Sequence, residues 1–270
     1  MCMKIAFFDI DGTLLDVPHG LNAPSRATIE ALKAFQDQGN KIVIASARGA
    51  VPASLECIFF DGYIFNDGHY IIYEGKVLVD DLFTQEMVQK QLDVYQKYHG
   101  RPQFAGHQGS WCDCLDDELI IKHRLMFAGT AKRPQDVVEH FTAADVKAVS
   151  CCVLFDTVEA LEKAYHELED QFTMIPYKTG LIRMDVYCKG FTKGTACQYL
   201  YRQLKIEREN TYAFGDGEND IEMLQLVKHG IAMGNAVEPL KAVASEVTDT
   251  VTHDGIAKSF HKHFAIEVTS

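Results

Sequence analysis

Apolar runs of strand length alternate with a helical pattern at the start of the chain. Ile5–Phe8 and Lys41–Ala45 are apolar runs, and apolar residues recur at three-residue spacing between them, over about Pro24–Gln38. Pro24 suits the first turn of that helix, and Gly39 stands where a left-handed cap is expected after its last turn. This strand–helix–strand order predicts parallel strands in an open α/β sheet.

A hairpin is predicted next. The apolar runs Tyr63–Phe65 and Tyr70–Tyr73 lie on either side of the turn residues Asn66-Asp67-Gly68. Asn, Asp and Gly tolerate the left-handed backbone conformations that tight turns need, so the two runs are expected to pair.

The pattern changes near residue 82 and returns to an α/β pattern at Lys193. We expect the intervening segment to contain a helix around Val88–Tyr95, an irregular stretch over 101–114, a strand over 148–155, a helix over 158–171 and a strand over 181–187. We therefore predict a core formed by residues 1–81 plus 188–270 and an inserted domain formed by residues 82–187.

Composition and charge narrow the classes of function. The chain has 270 residues, of which 47% are hydrophobic, and its 38 acidic and 26 basic side chains give a net charge of −12. This excess of acid disfavours nucleic-acid and membrane-surface partners. No apolar run reaches the ~18 residues of a membrane-spanning helix, so we expect neither an anchor nor a signal peptide.

The eight cysteines contain no C-x-x-C pattern. We interpret them as reduced thiols in a cytoplasmic protein, because a chain of this size does not need disulfides to fold. Cys112 with Cys114, and Cys151 with Cys152, remain open as soft-metal ligands beside the alternative of small buried side chains.

Two carboxylates follow the first predicted strand, in Asp9-Ile10-Asp11-Gly12-Thr13. Residues at positions i and i+2 of an extended backbone project to the same side, and ligands bind at the carboxyl edge of open α/β sheets. The alternative is an Asp-Gly turn in which the second acid only interacts with solvent.

A second acidic motif, Gly215-Asp216-Gly217-Glu218-Asn219-Asp220, also follows an apolar run. If Asp9, Asp11, Asp216 and Asp220 meet, each like-charge pair near 4 Å costs on the order of 4 kcal/mol at an effective dielectric of 20. Such a cluster needs a cation, and all-oxygen ligands favour Mg²⁺.

Two further residues complete the candidate set. Ser46 follows the second predicted strand, and Lys193 lies where the α/β pattern resumes. A hydroxyl and an ammonium can both hold a phosphoryl oxygen. Taken singly, each residue is better explained by an ordinary role, Ser46 as a helix N-cap and Lys193 as a solvated surface lysine, and only the combination with the two acidic motifs favours a site.

Together these motifs resemble the haloacid dehalogenase superfamily of phosphatases, and within it the Cof-like group with a large type-2 cap. Its four motifs correspond, in order, to residues 9–13, Ser46, Lys193 and residues 215–220. Residues 66–68, 231–236 and 254–257 resemble features of the subgroup. The chain departs from the family at Ser46-Ala47-Arg48, where Thr-Gly-Arg is common, but the hydroxyl is retained.

The resemblance implies a Rossmann-like core of three α/β/α layers with a mostly parallel sheet, and an inserted α+β cap that selects the substrate. It also implies that Asp9 is the nucleophile and Asp11 the general acid and base in hydrolysis of a small phosphorylated metabolite such as a sugar phosphate. The implied Mg²⁺ ligands are Asp9, the backbone carbonyl of Asp11, Asp216 and Asp220, and the implied phosphate-binding residues are Ser46, Lys193 and Asn219.

Two other functions share these motifs. A phosphomutase or phosphotransferase would pass the phosphoryl group from the same nucleophile to a sugar. A non-catalytic sensor would bind a phosphorylated ligand without turnover, although Asp11 argues against it because a pure binder has little use for an acid/base carboxyl. The sequence leaves the oligomeric state open.

Overall fold

Strands and helices alternate along the chain in the computed structural model, which describes residues 2–128 and 130–267. The strands are β1 (Ile5–Phe8), β2 (Lys41–Ala45), β3 (Gly62–Phe65), β4 (Tyr70–Tyr73), β5 (Lys76–Asp80), β6 (Arg101–Gly106), β7 (Gly109–Trp111), β8 (Val137–Val138), β9 (Ser150–Leu154), β10 (Phe172–Tyr177), β11 (Arg183–Cys188), β12 (Thr211–Gly215), β13 (His229–Ala232) and β14 (Glu246–Val247). The helices are α1 (Arg26–Asp37), α2 (Gln85–Lys97), α3 (Glu118–Ala128), α4 (Val158–Leu168), α5 (Lys193–Gln203), α6 (Ile221–Leu226), α7 (Glu238–Val243) and α8 (Gly255–Phe264).

The described residues form two compact units. One contains the chain up to Val79 together with the chain from Phe191 onward, and the other is Asp80–Gly190. No helix among the described residues is both long enough and apolar enough to span a membrane.

The sheet of the first unit has the order β14-β13-β12-β1-β2-β3-β4-β5. Pairing is parallel from β14 through to β3, and β3 and β4 form the predicted antiparallel hairpin. In β1, Phe8 lies opposite Phe214 on one side and Ile44 on the other. The carboxyl ends of β12, β1 and β2 therefore meet at one edge, which is where the acidic motifs and Ser46 follow their strands.

Helices cover both faces of this sheet. Ala6 and Phe8 pack in the apolar cluster that includes α1 and α8, whereas Ile5 and Phe7 pack in the cluster that includes α5, α6 and α7. This alternation along β1, with every residue buried, is typical of a central parallel strand. It confirms the predicted α/β fold with three layers.

Helix α1 begins later than the sequence pattern indicated. Ser25, not Pro24, precedes it, and the Ser25 hydroxyl accepts a hydrogen bond from the backbone N–H of Thr28 at 3.1 Å. Pro24 therefore lies outside the first turn, because the N-cap serine satisfies a free donor of the helix end. Gly39 has the expected left-handed conformation, with φ +82°.

The Asp80–Gly190 unit has a sheet of order β10-β11-β9-β6-β7-β8. Apolar residues of α2 and α4, including Val88 and Leu161, pack with strand residues such as Val153 and Met184. The predicted helix over 158–171 ends at Leu168, and Phe172 already begins β10.

The stretch over 101–114, which we expected to be irregular, contains the β6–β7 hairpin instead. Pro102, Gly106 and Gly109 obscure the alternation of a strand in the sequence. Gly106 is required by close packing, because a Cβ there would lie 2.1 Å from the carbonyl oxygen of Lys147. Strand pairing in the folded chain thus overrides a weak local signal.

Candidate active site

Asp9 is the first residue after β1. Its backbone N–H donates to the carbonyl of Phe214 at 3.0 Å, which continues the pairing with β12 by one residue. The side chain is 6% exposed. After it the chain turns back, with the N–H groups of Leu14 and Leu15 both donating to the carbonyl of Ile10. The sheet thereby fixes the Asp9 carboxylate at its edge.

Lys193 is the first residue of α5, and its side chain is buried against the acidic motifs. The ammonium lies 2.8 Å from Asp9 Oδ1 and 2.8 Å from Asp220 Oδ1, and the residue is 2% exposed. The alternative of a solvated surface lysine is therefore wrong. Burial alone would lower its pKa, but the two carboxylates outweigh burial and raise the pKa of Lys193, so it stays charged.

Asp220 is completely buried and is oriented by the loop that follows β12. Its Oδ2 accepts the backbone N–H groups of Asp216 and Gly217, each at 3.0 Å. Asp216 in turn accepts a hydrogen bond from the hydroxyl of Thr13 at 3.4 Å. The two acidic motifs are thus tied to each other by side chains as well as by β1–β12 pairing.

Asp9, Asp216 and Asp220 form a cluster that fits a divalent cation. One carboxylate oxygen from each lies within 4.8 Å of the others. Burial, partly offset by Lys193, raises the pKa of Asp9 to about 7, and burial with the charge of Asp220 raises that of Asp216 to about 7. One ammonium does not neutralise three carboxylates, and a hard cation bound by their oxygens would relieve the remaining repulsion.

Asp11 lies outside this cluster and forms an ion pair with Arg48. The guanidinium donates from Nε to Oδ2 at 2.7 Å and from Nη2 to Oδ1 at 2.8 Å. The Asp11 side chain is 54% exposed, so this carboxyl is accessible where those of Asp9 and Asp220 are not. This two-point pairing fixes the orientation of Asp11.

Ser46 is buried after β2, and no helix begins there. The N-cap alternative is therefore wrong, although its hydroxyl does accept the backbone N–H of Arg48 at 3.2 Å. Asn219 is exposed, and its side-chain amide donates to Asp67 Oδ1 at 3.4 Å. Asp67 donates its backbone N–H to the carbonyl of Ser46, so it links these two candidate phosphate ligands.

Arg48, Asp67 and Thr13 belong to segments that the sequence singled out, but the sequence assigned no role to any of the three. Each proves to contact a candidate residue, namely Asp11, Asn219 and Asp216 respectively. Asp67 has a positive φ of 50°, which is unusual for a residue other than glycine. The turn sequence Asn66-Asp67-Gly68 is the signal that could have identified it.

Gly12 is where the two acidic motifs approach most closely. Its φ is +82°, and a Cβ there would lie 2.0 Å from Asp216 Oδ2. We expect Gly12→Ala to lower the free energy of unfolding by about 1–2 kcal/mol through the backbone conformation alone. Displacement of Asp216 should add to this loss and weaken Mg²⁺ binding, as measured by the shift in melting temperature with added Mg²⁺.

Gly39→Ala is the matched control, because Gly39 has the same φ of +82° but a Cβ added there would meet no atom within 4 Å. It should lower the melting temperature and leave the Mg²⁺-dependent shift unchanged. Equal behaviour of the two variants would contradict the predicted clash between a Cβ at residue 12 and the Asp216 carboxylate.

Among the described residues, the three carboxylates are the only group of three or more His, Cys, Asp or Glu side chains close enough to share a metal ion. The cysteine pairs considered in the sequence do not form such a group. Cys112 and Cys114 place their Sγ atoms 3.7 Å apart, and both are free thiols.

Comparison with known proteins gives consistent matches over nearly the whole chain. The profile of a family described as haloacid dehalogenase-like hydrolase matches residues 6–260.

YkrA of Bacillus subtilis (strain 168), whose name marks it as a candidate phosphatase, is 30% identical over 259 residues, covering 95% of this chain and 96% of that protein. A hypothetical protein of Geobacillus kaustophilus HTA426 superposes with a TM-score of 0.84 at 29% identity, covering 98% of this chain and 100% of that one. The HAD subclass IIB sugar phosphatase BT4131 superposes with a TM-score of 0.77 at 31% identity, over 98% and 100% of the two chains.

Proposed function

The chain belongs to the haloacid dehalogenase-like hydrolases and is a phosphatase, and from this premise we propose that it hydrolyses small phosphomonoesters with Mg²⁺ through an aspartyl-phosphate on Asp9. The observation that supports this most directly is the ammonium of Lys193 bonded at 2.8 Å to Asp9. Its positive charge opposes the effect of burial on the pKa of Asp9 and so favours the charged carboxylate that a nucleophile requires.

In this proposal Asp9 is the nucleophile and Asp11 is the general acid and base. An oxygen of Asp9 attacks phosphorus, and the bond from phosphorus to the leaving oxygen breaks while Asp11 gives that oxygen a proton. Asp11 then takes a proton from water, whose oxygen attacks the same phosphorus and releases inorganic phosphate and free Asp9. The accessible position of Asp11 suits a group that meets both the leaving alcohol and water, and proton donation requires that Asp11 first exchange its two-point pairing with Arg48 for a proton.

We assign the Mg²⁺ ligands to the carboxylates of Asp9 and Asp216, the backbone carbonyl of Asp11, and Asp220 either directly or through water. The bound ion would neutralise charge on the phosphoryl oxygens. Asp220 also has a role that needs no metal, because it holds Lys193 and the loop N–H groups in place.

Ser46, Lys193 and Asn219 are proposed to hold the phosphoryl oxygens that do not react. They supply a hydroxyl, an ammonium and an amide, all of which can donate hydrogen bonds to phosphate. Asp67 contacts both Ser46 and Asn219 and is therefore a positioning residue for this group.

We further propose that residues 82–187 act as the cap that selects the substrate, with residues 1–81 and 188–270 as the catalytic core. Sugar phosphates are the first class to test, because BT4131, at 31% identity, is named as a sugar phosphatase. We place the enzyme in the cytoplasm, where the eight free thiols of the chain would stay reduced.

A screen of phosphorylated metabolites with purified protein and Mg²⁺ tests this function. We expect inorganic phosphate to be released from one or more sugar phosphates and from para-nitrophenyl phosphate. Turnover that depends on a sugar bisphosphate and yields a phosphorylated sugar would instead indicate a phosphomutase. Saturable binding without release of phosphate would indicate a sensor and contradict hydrolysis.

A further inference from the structure

A cavity of about 290 Å³ lies within the Asp80–Gly190 unit. Apolar residues such as Trp111 and Val137 line it together with the polar residues Gln103, Ser110 and Arg124. The volume is just below the ~300–1,000 Å³ range of small-molecule sites, so it suits a small molecule with one ring. Its walls combine apolar surface with a few polar groups, as ligand sites do.

Arg124 brings a positive charge to this cavity that no acid in the lining balances. Its Nη1 donates to the carbonyl of Leu115 at 2.8 Å, whereas its Nε is buried without a hydrogen-bond partner among the described residues. The two acids just before α3 in the chain are paired elsewhere, Asp116 with Arg133 and Asp117 with Arg101. Arg124 is half-buried, and a buried N–H without an acceptor is costly, so an anion that accepts from this guanidinium would reduce that cost.

The charge of the lining indicates the class of anion. His123 is the other basic residue that lines the cavity, and burial together with the charge of Arg183 lowers its pKa to about 4, so it is neutral at pH 7. Arg124 therefore supplies a single positive charge. One guanidinium matches the charge and the two-oxygen geometry of a carboxylate, whereas a phosphate dianion would require a second cation.

We propose that this cavity is a binding site for a small molecule that carries a carboxylate on a flat apolar ring. Arg124 would pair with the carboxylate, and Trp111 would contact the ring. A flat ring packs well against an indole and buries apolar surface from both partners. The site lies wholly within one unit, so the proposal does not depend on the catalytic assignments.

Trp111 is the single tryptophan of the chain, so its fluorescence reports directly on this cavity. We expect benzoate, titrated into the full-length protein, to change that fluorescence saturably. Benzyl alcohol has the same ring but no charge, and it should bind at least about tenfold more weakly, because a hydrogen bond to a charged group is lost. No saturable response to benzoate, or an equal response to both compounds, would overturn the proposal.

Arg124→Met removes the charge at similar length, and it should weaken benzoate binding roughly tenfold or more. Lys122→Met is the matched control, because it removes one charge from the exposed face of the same helix, α3, and should leave benzoate binding unchanged. Unchanged affinity in Arg124→Met would overturn the assignment. If that variant fails to fold, the comparison of benzoate with benzyl alcohol on the unmodified protein still decides the question.

The occupant could be the organic part of the substrate or a separate effector. Phosphatase assays with benzoate distinguish these sources. If benzoate competes with para-nitrophenyl phosphate and Arg124→Met removes that competition, the result supports the site and identifies the occupant as part of the substrate. Saturable binding with an unchanged KM would support the site and identify a separate effector.

Discussion

Replacing Asp9 by asparagine is expected to reduce kcat on the order of a thousandfold or more while leaving the protein folded. An amide has nearly the shape of the carboxylate but lacks the charged oxygen that attacks phosphorus. The fold should tolerate the change, since it removes one of three crowded carboxylates and leaves Lys193 paired with Asp220 at 2.8 Å.

The measurement is steady-state turnover of para-nitrophenyl phosphate and of the best metabolite from the screen, with thermal melting to confirm folding. Asp11→Asn is the companion variant. It keeps the proposed nucleophile but removes the proposed proton donor. It should therefore slow the hydrolysis of a sugar phosphate more than that of an ester whose leaving group needs little protonation. More than a tenth of the normal rate in Asp9→Asn would refute the covalent route.

Exhaustive chelation is expected to abolish turnover, and added Mg²⁺ to restore it. The carboxylates of Asp9, Asp216 and Asp220 lie within 4.8 Å of one another with one ammonium between them. A phosphate dianion cannot join such a group without a further cation, because each new like-charge pair near 4 Å costs on the order of 4 kcal/mol at an effective dielectric of 20.

The assay compares phosphate release before chelation, after chelation and after restoration with Mg²⁺ or Ca²⁺. Calcium should bind but inhibit, because its higher and looser coordination ties up Asp9 in a geometry unsuited to attack. Full turnover after chelation would exclude a metal requirement. Unimpaired turnover with Ca²⁺ would argue that Asp9 is not both metal ligand and nucleophile.

The centre of the core sheet was predictable because its strands there, β1, β2 and β12, are buried on both faces. Such strands appear in the sequence as continuous apolar runs, as Ile5–Phe8 and Lys41–Ala45 do. Because parallel strands end at the same edge of a sheet, the residues that follow them lie at that edge. That rule placed Asp9 and Asp216 at the same edge, where their oxygens do meet.

What the sequence could not provide is the environment of individual polar side chains. Lysine is exposed by default, so the burial of Lys193 depends on Asp9 and Asp220, which are far from it in the sequence. The pairing of Arg48 with Asp11 likewise depends on two loops that only the sheet brings together. Local periodicity carries no information about such partners.

The position of β1 between β2 and β12 also determines when the cluster of Asp9, Asp216 and Asp220 can form during synthesis on the ribosome. Ile5 lies opposite Lys41, which emerges soon afterwards, and opposite Thr211, which emerges only after all of Asp80–Gly190. Until then one side of β1 is an unpaired edge, which is prone to pair with other chains. A nascent chain that has not passed Asp220 therefore carries Asp9, the proposed nucleophile, without the partners that hold it, and we expect it to be prone to aggregation for most of its translation.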